Sequence, residues 1–335
     1  MKATIKDVAK YAGVSTATVS RMLNQTGTVS PQAQERIQKA IEALDFQLNS
    51  RAQNFKTGKT NAIAVIVPDI SNPFFACVIH EIESVLSRHN YTLMIASTEE
   101  TREREAQILR YISKGSADGV ILASAFQDYN DLKPFIPQDI PVVFFDRKLR
   151  NCPHDMVTES DTPAICQTIR ELTEKGCRKI GCIAGLPDLS TTADRVKAYR
   201  TSLASAGLTP DESLIFYASS VYDSGYSCTE SLLSLGCTAL VVVSNSMTRG
   251  CLSYLLQHGK IPGKDIIVAG YHNPDFLNID MLRIELPYQD LGRRAAEFVL
   301  ERIQNPTLPV RQIELTAPLL SERSDGAYLN QPGAS

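Results

Sequence analysis

A cluster of small and basic side chains near the N-terminus has the types and spacing needed to contact DNA. Its members are Thr16, Ala17, Ser20 and Arg21. Small hydroxyl and methyl groups can approach base edges, and arginine can donate to guanine or to a phosphate. The cluster therefore predicts a DNA-reading surface. The alternative is one face of an ordinary amphipathic helix in an all-α protein.

A second set of side chains follows the predicted buried strands in the rest of the chain. Ligands bind at the carboxyl ends of the strands in parallel α/β sheets, so we expect this set to line a small-molecule site. Its members are Phe74, Phe75, Asp146, Arg147, Thr191, Arg195, Ser220, Asn245, Ser246 and His272. For any one of these residues the alternative is a turn or a helix cap.

Helical periodicity predicts the elements that position the first cluster. Apolar residues recur at i, i+3, i+4 and i+7 over residues 5–12, and Gly13 then supplies a C-cap. Ser15 is a good N-cap for a second short helix, and Pro31 begins a third helix. Two short helices joined by a tight turn form a helix-turn-helix, whose second helix enters the major groove of DNA.

The charge distribution divides the chain at about residue 60. The net charge is −3, but residues 1–60 contain nine basic and four acidic residues, a balance of +5. The remainder therefore has a balance of −8. A basic N-terminal unit joined to an acidic body is typical of a phosphate-binding module attached to another domain.

The body alternates continuous apolar strands with amphipathic helices. One series begins at residue 62 and a second at residue 179. Continuous apolar strands separated by helices predict parallel sheets covered on both faces. The predicted fold is a small all-α helix-turn-helix head and an α/β body of two doubly wound parallel-sheet subdomains.

Several other classes of protein are disfavoured by the sequence. No apolar run approaches the length that spans a bilayer, and residues 1–7 precede no apolar signal segment, so we expect a cytoplasmic protein. The eight cysteines include no Cys-x-x-Cys pair and are read as small buried thiols, not metal ligands. A sugar-metabolising enzyme would need a nucleophile motif or a phosphate loop, and none is present. A sugar transport protein would need a signal peptide. We therefore predict a protein without enzyme activity, cofactor or metal.

The N-terminal residues resemble those of the lactose-repressor (LacI/GalR) family. The matching segments are Ile-Lys-Asp-Val-Ala (5–9), Ala-Gly-Val-Ser (12–15), Thr-Val-Ser-Arg (18–21), Leu-Asn (23–24) and Val-Ser (29–30). The resemblance continues to about residue 323. It implies DNA contacts from the first three helices, made by Thr4, Ser15, Thr16, Ala17, Thr18, Ser20, Arg21 and Asn24.

The resemblance also implies a domain plan. The DNA-binding domain spans 1–46, a hinge spans 47–60, and an effector-binding and dimerisation domain spans 61–335. The N-subdomain would comprise about 61–156 plus 285–317, and the C-subdomain about 157–284 plus 318–330, in the manner of periplasmic sugar-binding proteins.

The hinge would form a short helix that lies in the minor groove of DNA. Phe55 stands where the family carries a leucine that wedges into a base step, and phenylalanine can also unstack bases. Ala52 and Lys56 would contact DNA beside it. Gln53 and Leu48 depart from the residues that many members have at these positions. The alternative is a plain linker in which Phe55 covers the junction between the domains.

Departures from the family in the effector loops bear on the ligand. Arg195 matches an arginine that commonly contacts the effector, and residues 72–75 resemble a family loop whose aromatic residue lines the pocket. Many relatives carry aspartate where this chain has Ser246 and His272. Fewer carboxylates with arginines nearby predict a sugar acid or phosphorylated sugar, since arginine matches carboxylate and phosphate geometry.

The implied mechanism couples two binding sites. A homodimer would bind an inverted-repeat operator in double-stranded DNA, most simply as a repressor of a carbohydrate-utilisation operon. A sugar-type effector would change the angle between the subdomains and thereby the DNA affinity. Residues 321–335 carry no apolar heptads that would form a tetramerising coiled coil.

Overall fold

The computed structural model describes residues 3–24, 27–46, 59–271 and 279–320. The chain separates into two compact units, Met1–Thr60 and Asn61–Ser335. The predicted hinge residues Ala52, Phe55 and Lys56 lie outside the described residues, as does His272. In the described part of the chain, no helix is long and apolar enough to cross a membrane.

The first unit contains the predicted helix-turn-helix. Its helices are α1 (Ile5–Ala12), α2 (Thr16–Asn24) and α3 (Pro31–Ala43). Thr4 and Asp7 form a reciprocal capping box at the start of α1, and Gly13 ends it with a φ of +63°. Because that φ favours glycine, the sharp turn between α1 and α2 depends on this residue. Val8, Val19 and Ile37 are fully buried and hold the three helices together.

The second unit alternates strands and helices. The strands are β1 (Ala62–Val67), β2 (Thr92–Ser97), β3 (Gly119–Leu122), β4 (Val142–Asp146), β5 (Asp155–Ser160), β6 (Ile180–Ala184), β7 (Ile215–Tyr217), β8 (Ala239–Val242), β9 (Ile267–Tyr271), β10 (Leu282–Ile284), β11 (Gln312–Thr316) and β12 (Leu319–Leu320). The helices are α4 (Pro73–Arg88), α5 (Arg102–Ile112), α6 (Tyr129–Leu132), α7 (Thr162–Glu174), α8 (Ser190–Ser205), α9 (Tyr222–Ser234), α10 (Asn245–Gln257) and α11 (Tyr288–Gln304).

These strands form two sheets, which confirms the predicted pair of α/β subdomains. The first sheet has the order β11-β5-β4-β3-β1-β2, and all its pairings are parallel. The second has the order β12-β10-β9-β8-β6-β7 and is parallel except for the β10–β12 pair. Central strands such as β1 and β8 are buried throughout, which explains their continuous apolar sequences.

The described chain passes between the sheets after β5, after β10 and again between β11 and β12. The predicted subdomain boundary near residue 156 therefore falls inside β5, which pairs along its whole length with β11. The pairing with β11 defines β5 as a strand. Its sequence, Asp-Met-Val-Thr-Glu-Ser, lacks the continuous apolar run of the central strands. Glu159 and Asp161, at its carboxyl end, consequently lie beside the carboxyl end of β4.

Candidate DNA-reading helix and ligand cleft

Helix α2 exposes the side chains that the sequence assigned to DNA contact. Thr16, Ala17 and Arg21 are exposed, whereas Val19 is completely buried on the opposite side. Small side chains at the start of the helix leave its N-terminal end accessible to a flat or grooved surface. This is the geometry that a recognition helix needs in a major groove.

The neighbouring predicted contacts have structural roles as well. The Thr18 backbone N–H donates to Ser15 Oγ at 3.1 Å, and the two hydroxyls lie 2.8 Å apart, so Ser15 caps α2. The Thr4 hydroxyl donates to Asp7 at 2.7 Å in the capping box of α1. Ser20 is half-buried. Asn24 is the last residue of α2, and its side chain is outside the described part.

Arg195, on α8, is the centre of a buried polar cluster in the second unit. Its Nε donates to Asp161 at 2.5 Å, and an Nη donates to the Val243 carbonyl oxygen at 2.9 Å. The guanidinium lies 4.6 Å from the centre of the Tyr271 ring. The Tyr271 hydroxyl in turn donates to Asp161 at 2.6 Å. The sequence-predicted effector arginine is therefore already engaged by groups of the chain itself.

Arg147 is engaged in the same way at the end of β4. It donates to both carboxylate oxygens of Glu100, at 2.7 and 2.8 Å, and to the Ser124 carbonyl oxygen at 3.3 Å. Its Nε lies 3.4 Å from Asp146. Asp146 adopts a φ of +67°, an uncommon conformation for a residue other than glycine. This turn directs the chain away from the sheet beside the cluster.

Asp146 and Glu159 form a buried carboxyl pair. Burial raises the pKa of Glu159 well above its ordinary value, and the nearby Asp146 charge raises it further. Burial also raises the pKa of Asp146, although Arg147 acts in the opposite direction. Two close carboxyl groups in a buried site cannot both ionise readily, which favours the state in which the pair shares a proton.

Contacts across the cleft link the two subdomains. From the loop after β4, the Lys148 ammonium lies 2.9 Å from Asp194 of α8 and 2.7 Å from Glu314 of β11. The Lys148 backbone N–H donates to Ser190 at 3.0 Å. A small cavity of about 10 Å³ lies at this junction. It is lined by Asp146, Lys148, Glu159, Ser160, Asp161, Thr162, Ser190, Thr191, Asp194 and Arg195.

The structure brings some predicted ligand residues to this cavity and places others elsewhere. Asp146, Thr191 and Arg195 line it. Phe74 and Asn245 line a second small cavity of about 20 Å³ between α4 and α10. Four further predicted residues within the described part, Arg147, Phe75, Ser220 and Ser246, do not line either cavity. Phe75 is buried with its ring 6.2 Å from Phe145, Ser246 is buried at the start of α10, and Ser220 is half-buried near Gly185.

Sequence reasoning missed three carboxyl groups of the cluster: Glu100, Glu159 and Asp161. The last two lie at the carboxyl end of β5, so the rule that identified Asp146 would have found them if β5 had been recognised. Glu100 could not be found in that way, because it follows the exposed strand β2. Within the described residues, no group of three or more His, Cys, Asp and Glu side chains could hold a metal ion.

Comparisons with known proteins agree with this architecture. A family model described as "Bacterial regulatory proteins, lacI family" matches residues 4–49. Another, "Periplasmic binding proteins and sugar binding domain of LacI family", matches residues 60–323. The HTH-type transcriptional repressor PurR of Vibrio atlanticus (strain LGP32) is 30% identical, over 98% of this chain and 100% of that protein. The ribose operon repressor of Halalkalibacterium halodurans is 28% identical, over 95% of each chain.

Solved structures show the same fold. The lac repressor dimer bound to operator and the anti-inducer ONPF aligns with a TM-score of 0.81 at 22% identity, over 96% of this chain and 98% of that chain. A complex of the transcriptional regulator CelR with cellobiose aligns with a TM-score of 0.69 at 25% identity, over 95% and 98% of the two chains.

Proposed function

The chain belongs to the LacI family of bacterial regulatory proteins, and from that premise we propose that it represses a carbohydrate-utilisation operon. As a homodimer it would bind an inverted-repeat operator, and a small effector in the cleft would alter the DNA affinity. The observation that carries this proposal is the exposed, small-residue face of α2 on a unit with a balance of +5 charges.

Each contact of the head has a distinct role in this proposal. Thr16 and Ala17 approach base edges, and Arg21 binds either guanine or phosphate. Ser15 and Thr18 complete the N-terminal end of α2, where free backbone N–H groups can meet a phosphate. The proposed minor-groove contacts of Ala52, Phe55 and Lys56 rest on the sequence resemblance.

Exposed apolar side chains at corresponding edges of the two sheets support the proposed dimer. Ile95 lies on edge strand β2 and is 51% exposed. Tyr217 lies on edge strand β7 and is 42% exposed, with Val221 and Tyr222 exposed just beyond it. A symmetric partner that covers both edges would bury these groups and satisfy the open strand edges.

The proposed effector site is the cleft around Arg195. Arg195 pairs with Asp161 and lies 3.8 Å from Glu159, which joins α8 to the carboxyl end of β5, so a ligand there would touch both subdomains. A sugar-type ligand suits the hydroxyl and carboxylate groups of the lining. The acidic sugar suggested by the loop sequences is less well supported, because Arg147 and Arg195 are each paired with carboxylates.

Coupling would arise because the subdomains must separate or close around the ligand. Opening breaks the Lys148–Asp194 ion pair and the hydrogen bond to Ser190. A ligand that prefers one spacing shifts the DNA affinity by its difference in binding free energy, about 1–3 kcal/mol in typical cases. The contacts observed across the cleft are therefore the elements that the effector would reinforce or replace.

A gel-shift titration tests the proposal. Duplexes from the region upstream of the gene are titrated with the full chain, with and without candidate sugars, and the sign of the change distinguishes induction from co-repression. We expect Arg21→Ala to weaken binding by about tenfold or more, whereas Arg36→Ala on α3 serves as the matched control. Equal binding to palindromic and scrambled duplexes would reject operator recognition. Binding to neither duplex would favour the transport-protein or enzyme alternatives.

A further inference from the structure

Carboxyl side chains outnumber cationic side chains in the lining of the ligand cleft. Among the described residues, four carboxyl and two cationic side chains line the cavity of about 10 Å³. The carboxyl groups belong to Asp146, Glu159, Asp161 and Asp194, and the cations to Lys148 and Arg195. Each carboxylate in a buried site needs a compensating charge or hydrogen-bond donor.

Two of the four carboxylates have close partners. Asp161 accepts hydrogen bonds from Arg195 and from the Tyr271 hydroxyl, at 2.5 and 2.6 Å. Asp194 pairs with Lys148 at 2.9 Å. Arg195 and Lys148 are thus each paired with a carboxylate already, and Asp146 and Glu159 are left without a cation of their own among the residues that line the cavity.

Besides Glu159, Asp146 faces a cation that it shares with another acid. The Arg147 Nε lies 3.4 Å from its carboxylate, but the two Nη groups of Arg147 donate to Glu100. The charge of Arg147 is therefore divided between two acids. The nearby Glu105 carboxyl group is also buried, and it accepts hydrogen bonds from the Ser124 hydroxyl and from the Ala125 backbone N–H.

Glu159 has the poorest compensation of the four. Its side chain is 1% exposed. Neither of its carboxylate oxygens accepts a hydrogen bond from a donor group in the described part of the chain. The Arg195 guanidinium lies 3.8 Å away, which is too long for a hydrogen bond, and its Nε is directed to Asp161. What faces Glu159 is chiefly the Asp146 carboxyl group.

We propose that the effector of this cleft carries a primary ammonium group that binds between Glu159 and Asp146, as in an amino sugar. The proposal rests on the proposed function of the cleft as the effector site. An ammonium group offers three hydrogen-bond donors and a positive charge, which is what two buried carboxylates require. A hydroxyl group would donate one hydrogen bond and leave the charge uncompensated. An acidic ligand would add a further negative charge beside Glu159.

Ammonium binding has a characteristic consequence for protons. Burial raises the pKa of both carboxyl groups, and two such groups facing each other favour sharing a proton in the unliganded cleft. A bound ammonium group favours the charged form of both acids and displaces that proton to solvent. The neighbouring Arg147, Arg195 and Lys148 keep their charges throughout, as each is paired with a carboxylate.

Isothermal titration calorimetry of the full chain tests this proposal with matched ligands. D-glucosamine, D-galactosamine and D-mannosamine are each compared with the parent hexose and the corresponding uronic acid. We expect at least one amino sugar to bind about tenfold or more tightly than its parent and its acid. Titrations in phosphate and in HEPES buffers, whose ionisation enthalpies differ and neither of which carries a primary ammonium group, should show release of close to one proton per amino sugar bound.

Glu159→Gln supplies the decisive variant, because it keeps the side-chain shape and removes the acid. It should abolish both the preference for the amino sugar and the proton release, with a thermal melt verifying that the variant is folded. Glu174→Gln, an exposed substitution on α7, should change neither. Tighter binding of a parent hexose or uronic acid, binding without proton release, or no binding by any amino sugar would overturn the proposal. DNA binding measured in parallel tests the proposed function separately: its absence with ammonium binding intact rejects only the regulatory role.

Discussion

At the scale of residues, the ligand cleft is organised by charge pairing that the sequence shows only in part. The effector arginine and the strand-end Asp146 could be predicted because the resemblance and the strand-end rule identify them. Their partners Glu159 and Asp161 could not be predicted, because the sequence of β5 lacks the continuous apolar run that indicates a strand. The altered charge at positions 246 and 272 led to the prediction of an acidic ligand. Glu159 and Asp161 nevertheless supply carboxylates to the cleft, although positions 246 and 272 lack the aspartates that many relatives carry there.

Replacement of Arg195 should destabilise the protein strongly. Arg195→Ala leaves the Asp161 carboxylate buried without its cation, and loss of one partner from a buried pair costs about 3–5 kcal/mol. The Arg200–Glu212 pair is a matched comparison, because it has a similar short contact of 2.6 Å but is much more exposed. Arg200→Ala should leave the free energy of unfolding nearly unchanged. Urea denaturation of both variants measures the difference, and equal losses would contradict the buried role of Arg195.

Glu105 should make stability depend on pH. Burial raises the pKa of Glu105 from 4.5 to about 7, so the folded state retains a proton that the unfolded state releases. Its contribution to stability is fully present below pH 4.5 and is lost as the pH rises through about 7. The total loss would be about 3 kcal/mol.

Glu105→Gln, which is neutral at every pH, isolates this effect. The stability of the protein minus that of the variant should fall between pH 4.5 and 7, as measured by urea unfolding at several pH values. The same difference for Glu174→Gln should show no such fall. A difference for Glu105→Gln that stays flat or rises with pH would show that the group is ionised when folded.

At the scale of elements, periodicity predicts the helices of the head and the central strands well. Each of these elements buries one face or both faces, and burial leaves a pattern in the sequence. The short strands β10 and β12 could not be predicted in this way, because three and two residues carry no period. The close packing of α9 on α10 could not be predicted from an apolar pattern either, because it depends on two glycines, Gly225 and Gly250.

Substitution of these glycines should separate the two helices. A Cβ on Gly250 would lie 2.0 Å from the Tyr222 carbonyl oxygen, and one on Gly225 would lie 2.1 Å from the Met247 carbonyl oxygen. Neither backbone can yield without moving a helix, so each Gly→Ala change should cost about 1–3 kcal/mol or more. Ser234→Ala, exposed at the end of α9, is the control. Thermal unfolding should separate the glycine variants from this control, and an unchanged melting temperature for Gly250→Ala would contradict the packing.

At the scale of the whole molecule, the charge boundary near residue 60 and the two sheets of the body were both predictable from the sequence. The assembly of the protein is a proposal that the exposed sheet edges support. The proposed function requires symmetry, because two heads would have to reach two half-sites of one operator. Loss of the dimer would therefore be expected to reduce operator affinity even though no DNA-contacting residue has changed.

A charge placed on the edge of the first sheet should weaken the dimer. Ile95→Asp puts a carboxylate on the exposed edge strand β2, where burial against a partner would be unfavourable. Tyr111→Asp, on α5 of the same subdomain and 60% exposed, is the matched control. Sedimentation velocity should show monomers for Ile95→Asp and dimers for Tyr111→Asp. A dimer that persists in Ile95→Asp would place the interface elsewhere.

The central claim is that this chain recognises a specific, symmetric DNA sequence. In vitro selection from a pool of random duplexes with the full chain tests it most directly. The account predicts enrichment of an inverted repeat whose two halves are equivalent, and loss of that enrichment with Arg21→Ala. Recovery of unenriched duplexes, or of a consensus without two-fold symmetry, would contradict it.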